Sequence, residues 1–279
     1  MVKVTREFIG FIIGLIVISV YTLLPFYEMI ISSIMPGIYQ FRFPPPLFPG
    51  EITFEYYIDL FNPREFPFVR LFTNSILLAS FSATISTALG IFGAYSLIRL
   101  PIRGKNIISK LIVVCYLMGG ILIALPLYQI ILTLGLYDTL QSLMLTYTMT
   151  TMPLTIFFLA NFFRSMPIEI EEASLIDGCS IPTVLLKIVI PITLPSIVSV
   201  FYFAFVTAFN EYLYALLFLN SAENYTLPIG FFMLYRYGEE FSWGLVNAAA
   251  TLTSIPIILI FSYLEKYLIK GMTMGAIKG

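Results

Sequence analysis

The residues best equipped for chemistry here are carboxylates: Glu169, Glu171, Glu172 and Asp177 crowd one short stretch, and Glu211 follows an apolar run, in a sequence that is only 11% charged. A carboxylate can act as general base, metal ligand, or acceptor for basic and backbone N–H groups of a partner. The first two roles need company that this sequence lacks. There is no histidine, the commonest metal ligand and general base. No HExxH, paired Asp or nucleophile with its base occurs, so the reading is neither an enzyme nor a metal protein. Cys115 and Cys179 are far apart and form no CxxC. No G-x-x-x-x-G-K-[ST] loop is present either, so this chain is expected to bind no nucleotide cofactor.

The elements that would carry these acids belong in a bilayer. Of the 279 residues 59% are hydrophobic, and the mean hydropathy is +0.93, well above an ordinary soluble domain. The net charge of −1 gives no basic field, which argues against nucleic acid as a partner. Six stretches are long enough, at roughly 20 apolar residues each, to cross a bilayer: 8–31, 71–98, 108–134, 143–163, 192–219 and 243–269. The first follows Lys3 and Arg6 like a signal peptide, but it is too long and lacks a small-residue cleavage site, so it is read as a retained helix. Residues 32–70 form the one long polar insertion. Its "FPPPLFP" and "FNPREFP" predict a stiff, extended loop.

Orientation follows from the basic residues. With the N-terminus inside, eleven of the fifteen Lys and Arg fall on the inner side: Lys3, Arg6, Arg99, Arg103, Lys105, Lys110, Arg164, Lys187, Lys266, Lys270 and Lys278. Arg42, Arg64, Arg70 and Arg236 fall outside. Both termini are therefore expected in the cytoplasm, and so is the acidic stretch. Insertion rules permit acids there without requiring them.

Within that stretch Pro167 suits the first turn of a helix running to about Asp177, the glutamates suit its positive end, and Gly178 supplies a stop. A helical wheel puts Ile170, Ala173 and Ser174 on one side and Ile168, Glu171, Glu172 and Leu175 on the other, which is no clean amphipathic stripe. Two readings stay open: a well-capped, solvated loop helix, or a short helix with a small-residue face that presses into a groove on another protein.

The spacing carries a resemblance. Glu172, Ala173 and Ser174 are followed by three residues, Gly178, nine residues, then Ile188, Val189, Ile190 and Pro191. This resembles the EAA motif of ABC-importer permeases, with Ser174 for the second Ala and Ile190 for Leu. "YLIKGMTMGAIKG", "NYTLPIGF" and "FNEYLYALLFL" narrow the likeness to the smaller permease of maltose-type carbohydrate importers, although Phe209 stands where Trp is frequent. The likeness covers about residues 70–279. It implies an all-α, six-helix type I importer fold, with an N-terminal helix and loop over 1–70 and a five-helix core over 71–279 that holds the acidic loop (164–191) and a short tail (270–279). It also implies a second, different permease, a cytoplasmic ATPase dimer, an extracytoplasmic solute-binding protein and a sugar substrate, all at the lipid membrane. By the same resemblance Glu171, Glu172, Ala173, Ser174, Gly178, Ile188 and Pro191 would form the ATPase-coupling site, the acids facing the ATPase, and Lys278 and Gly279 would reach its interface.

Polar groups in spans are costly and so are candidates for function. Glu211, Asn210 and Asn74 are read as pathway residues, Glu211 as an acceptor for a polar solute; Gln129 and Asn161 are weaker candidates. The 18 Tyr and 26 Phe suit lipid contact and packing better than sugar stacking. Asn224-Tyr225-Thr226 forms a glycosylation sequon. A secondary transporter would need ionisable residues near mid-bilayer for ion coupling, and almost none are present.

Overall fold

The structure is a computed structural model that describes residues 2–40, 46, 48–62, 66–118, 120–237 and 242–276. Arg42, Arg64, Lys278 and Gly279 lie outside the described residues. Among those described the chain is all-helical, and five helices are long and apolar enough to cross a membrane, or six if one bent pair counts as a single span. Two compact units emerge, residues Met1–Val69 with Phe231–Ile257, and residues Arg70–Gly230 with Ile258–Gly279. The segment from Phe231 to Ile257 groups with the N-terminal residues.

In the first unit, α1 (Val2–Ile34) carries within Phe8–Ile34 an apolar, membrane-length window that has no buried residue, as suits a helix whose solvent is lipid. The insertion that follows is not simply extended. It holds α2 (Gly37–Gln40) and α3 (Glu55–Leu60). Thr53 Oγ1 accepts the Glu55 N–H at 3.2 Å, the Tyr57 and Ser33 hydroxyls are 2.7 Å apart, and Leu60 is buried. An apolar contact and a hydroxyl pair thus order a stretch that its prolines alone would leave as a strut.

The second unit is organised around α4 (Phe68–Arg99) and the helices α5 (Lys105–Leu117), α6 (Gly120–Thr133) and α7 (Leu140–Ser165). The third expected span, 108–134, is therefore two helices: Met118 adopts an extended conformation that ends α5. On α4 a stripe of small residues, Ala79, Ser82, Ala83, Ser86, Gly90 and Ala94, recurs at helical spacing. It lets α7 approach closely enough for Thr155 Oγ1 to donate to Ser86 O at 3.0 Å. After α7 come α8 (Glu169–Ile176), α9 (Ile181–Val184) and α10 (Ile190–Phe209). The last two are joined by one wide turn over Leu185–Val189, in which the Ile190 N–H reaches back five residues to Leu185 O. Pro191 has no N–H to continue the ordinary ladder, and the wide turn absorbs that gap.

The fifth span consequently begins at Ile181, not at 192, and ends at Phe209 rather than running to 219. Past a break at Asn210–Tyr212 the chain forms α11 (Leu213–Phe218), which packs on α6 and α7. Two helices remain, α12 (Leu227–Tyr237) and α13 (Trp243–Ala276). Leu159, Phe163, Val184 and Val189 are fully buried where α7, α9 and the wide turn meet.

Candidate functional site

The acidic helix is built by local chemistry. Met166 is extended ahead of Pro167, as pre-proline sterics require, which ends α7. Ile168 already has helical dihedrals and its carbonyl accepts from the N–H groups of Glu171 and Glu172, both at 3.0 Å. Pro167 therefore stands just before the first turn of α8 and not inside it. Three glutamates fill that turn, where the helix dipole favours negative charge. At the other end Gly178 takes φ +87°, a left-handed conformation that costs glycine nothing. Its N–H bonds to Leu175 O and that of Cys179 to Ser174 O, each at 3.1 Å, a closed Schellman stop.

The structure separates two glutamates that the wheel placed together. Glu171 is the only buried residue of α8, at 4% exposure. Its Oε1 accepts from Arg99 Nε at 2.7 Å and its Oε2 from the Tyr95 hydroxyl at 3.0 Å. Arg99, from the last turn of α4, also donates through Nη2 to the carbonyls of Phe163 (2.9 Å) and Met166 (3.0 Å) at the end of α7. One guanidinium thus ties together α4, α7 and α8. The expectation that Glu171 faces a partner is corrected: its charge is spent inside the subunit. Neither Arg99 nor Tyr95 stood out in the sequence except as a basic residue and an aromatic.

The remaining motif residues behave differently. Glu172 and Ala173 are exposed, as are the apolar side chains of Ile168, Ile170, Leu175 and Ile176, the last to 86%. The half-buried Ser174 turns its hydroxyl back onto Ile170 O at 2.8 Å. Ile188 is half-buried in the wide turn and Pro191 lies exposed in the first turn of α10.

A cavity of about 550 Å³ lies in the second unit, walled by Met149, Thr150, Pro153 and Leu154 of α7 together with Glu211 and Tyr214. Glu211 sits in the break after α10 and not within a span, and it caps α11: its carboxylate accepts the N–H groups of Tyr214 (2.9 Å) and Ala215 (3.3 Å). The Tyr214 hydroxyl donates to Gly120 O at 3.0 Å. Asn210 returns its amide to Val206 O of its own helix at 2.9 Å. Asn74 gives its amide to the carbonyls of Glu223 (3.0 Å) and Tyr225 (2.9 Å), which makes it a tie between α4 and a loop. Of the three expected pathway residues, Glu211 alone lines this cavity.

At the opposite end of α7 from α8, Asp138 holds a turn at φ 59°. Its Oδ1 accepts the N–H groups of Asn220 and Ser221, both at 2.9 Å, Oδ2 accepts the Ser221 hydroxyl, and its carbonyl accepts Asn224 Nδ2 at 2.7 Å. The sequon asparagine is thus a structural donor. The Ser221 hydroxyl first, then the N–H groups of Ser221 and Asn220, lower the Asp138 pKa to about 2. A lowered folded-state pKa means stabilisation that is present above the unfolded value of about 4 and lost as pH falls from there towards 2. Limited proteolysis between Leu219 and Asn224 is therefore expected to stay flat from pH 7 to about 4 and to rise below it, with Asp138→Asn cleaved at the high rate throughout; a pH-independent rate in the native sequence would refute the latch.

Residues 86–274 match the family described as the binding-protein-dependent transport system inner membrane component. Over 277 residues, and 99% of both chains, the sequence is 37% identical to the inner membrane ABC transporter permease protein YcjP of Escherichia coli K12. It is 30% identical, over 96% of each chain, to the trehalose/maltose transport system permease protein MalG of Thermococcus litoralis. In fold it is similar to a solved bacterial ABC transporter involved in import of the acidic polysaccharide alginate, with a TM-score of 0.80 and 22% identity, covering 95% of this chain and 98% of that one. The chain therefore belongs to the family of binding-protein-dependent transport system inner membrane components, as the membrane-spanning permease of an ABC importer.

Proposed function

We propose that the chain is one of two different permeases in an importer of a sugar or oligosaccharide, and that α8 is its coupling helix. The family brings with it an ATPase and a solute-binding protein; ATP and Mg would bind the ATPase and no cofactor would bind this chain. The observation that carries the reading is the division of labour on α8: Glu171 is locked inward while Glu172, Ala173, Leu175 and Ile176 face outward. Small and apolar side chains beside the exposed Glu172 carboxylate suit insertion into a groove with a basic rim.

The bias of Lys and Arg supports cytoplasmic termini and a cytoplasmic α8. Lys278 and Gly279 would extend the ATPase contact. Carbohydrate is favoured by the C-terminal likeness and by the Thermococcus relative, which is named for trehalose and maltose. Glu211, on the cavity wall, would accept a hydroxyl of the solute there.

Ala173→Cys, assembled with ATPase subunits carrying single cysteines along the groove, is expected to form disulfides whose yield changes with bound nucleotide. Absence of any such cross-link in an assembled complex would remove the coupling role. Uptake of labelled trehalose or maltose by proteoliposomes containing the full complex tests the cargo separately.

A further inference from the structure

The clasp around Arg99 connects α8 to the cavity. Its guanidinium reaches Glu171 on one side and the carbonyls of Phe163 and Met166 on the other. Phe163 lies in the last turns of α7, the helix whose Met149, Thr150, Pro153 and Leu154 wall the cavity. Tyr95 closes the arrangement, its hydroxyl on Glu171 and its ring edge-on to Phe163 at 6.3 Å. The Arg99 and Glu171 side chains are 11% and 5% exposed, so water is not on hand to replace a lost contact. α8 therefore cannot be displaced as a rigid body without either breaking a desolvated ion pair or dragging the ends of α4 and α7 along with it.

We infer that Arg99 and Glu171 are positioning residues for transport: their buried pair transmits displacement of α8 to α7, and so to the cavity wall, and makes ATP hydrolysis productive. This rests on α8 being the coupling helix. The non-helical connection at Met166 and Pro167 would otherwise let α8 follow the ATPase while α7 stayed behind. Lysine is a poor substitute for Arg99, because one ammonium cannot hold Glu171 and two carbonyls in the same fork geometry.

The test uses the full transporter complex in proteoliposomes, measuring solute imported per ATP hydrolysed. Arg99→Gln and Glu171→Gln are each expected to lower that ratio about tenfold, while hydrolysis continues and the Ala173→Cys cross-link to the ATPase forms as before. A role confined to holding the fold would lower assembled protein, hydrolysis and uptake together and leave the ratio unchanged, which would overturn the inference. If both variants fail to assemble, Tyr95→Phe decides, since it removes a single hydrogen bond: a fall of about twofold supports the clasp, and an unchanged ratio overturns it. Loss of the cross-link in the parent complex would instead sink the coupling-helix reading itself.

Discussion

Arg99→Ala is expected to destabilise the subunit by about 3–5 kcal/mol, the range for removing one partner of a buried ion pair. Glu171 would be left 4% exposed with the Tyr95 hydroxyl as its remaining side-chain donor. The loss also strips a donor from the Phe163 and Met166 carbonyls. Glu171→Ala should cost less, because Arg99 keeps those two acceptors. The double variant should fall well short of the sum, since the second deletion removes a charge already stranded. Reversible unfolding of the purified subunit in mixed micelles, read as a double-mutant cycle, gives the coupling directly. Additive single effects of under about 1 kcal/mol would mean that the pair behaves like a solvated surface bridge.

Gly90→Leu should give the second largest effect, about 1–3 kcal/mol of destabilisation from overpacking. A Cβ built at Gly90 would lie 2.7 Å from Thr155 Oγ1 and 3.1 Å from Thr155 Cβ. The neighbour cannot easily give way, because Thr155 is fully buried and bonded to Ser86 O across the same interface. Gly93 is less tight, its nearest neighbour being a terminal methyl of Ile156 at 3.3 Å, so Gly93→Leu makes a matched control with a smaller effect. The reading is a melting temperature in lipid nanodiscs. Equal shifts for the two positions would show that α4 and α7 are not held at contact distance by Gly90.

These two positions illustrate what a sequence can and cannot convey. Membrane-length apolar runs announced themselves because a bilayer demands length and hydropathy locally, and Gly178 was legible because a left-handed stop is also a local requirement. The fate of Glu171 was not, since its partner lies 72 residues away and registers in the sequence only as one more basic residue. Asn74 misled for the same reason: its acceptors are backbone carbonyls 149 and 151 residues on, and carbonyls have no sequence signature. The break at Asn210–Tyr212 was hidden by hydropathy that continues on both sides. There Glu211 reads as a costly polar group in a span until it is seen to cap the helix that follows.

The wide turn at Leu185–Val189 has a mechanical meaning as well. It leaves Ile181–Phe209 a continuous 29-residue helical stretch, about 43 Å from end to end at 1.5 Å per residue. A tilt of roughly 10° about its Ser180 end would sweep the far tip sideways by about 7 Å over that length, at the place where Glu211 borders the cavity.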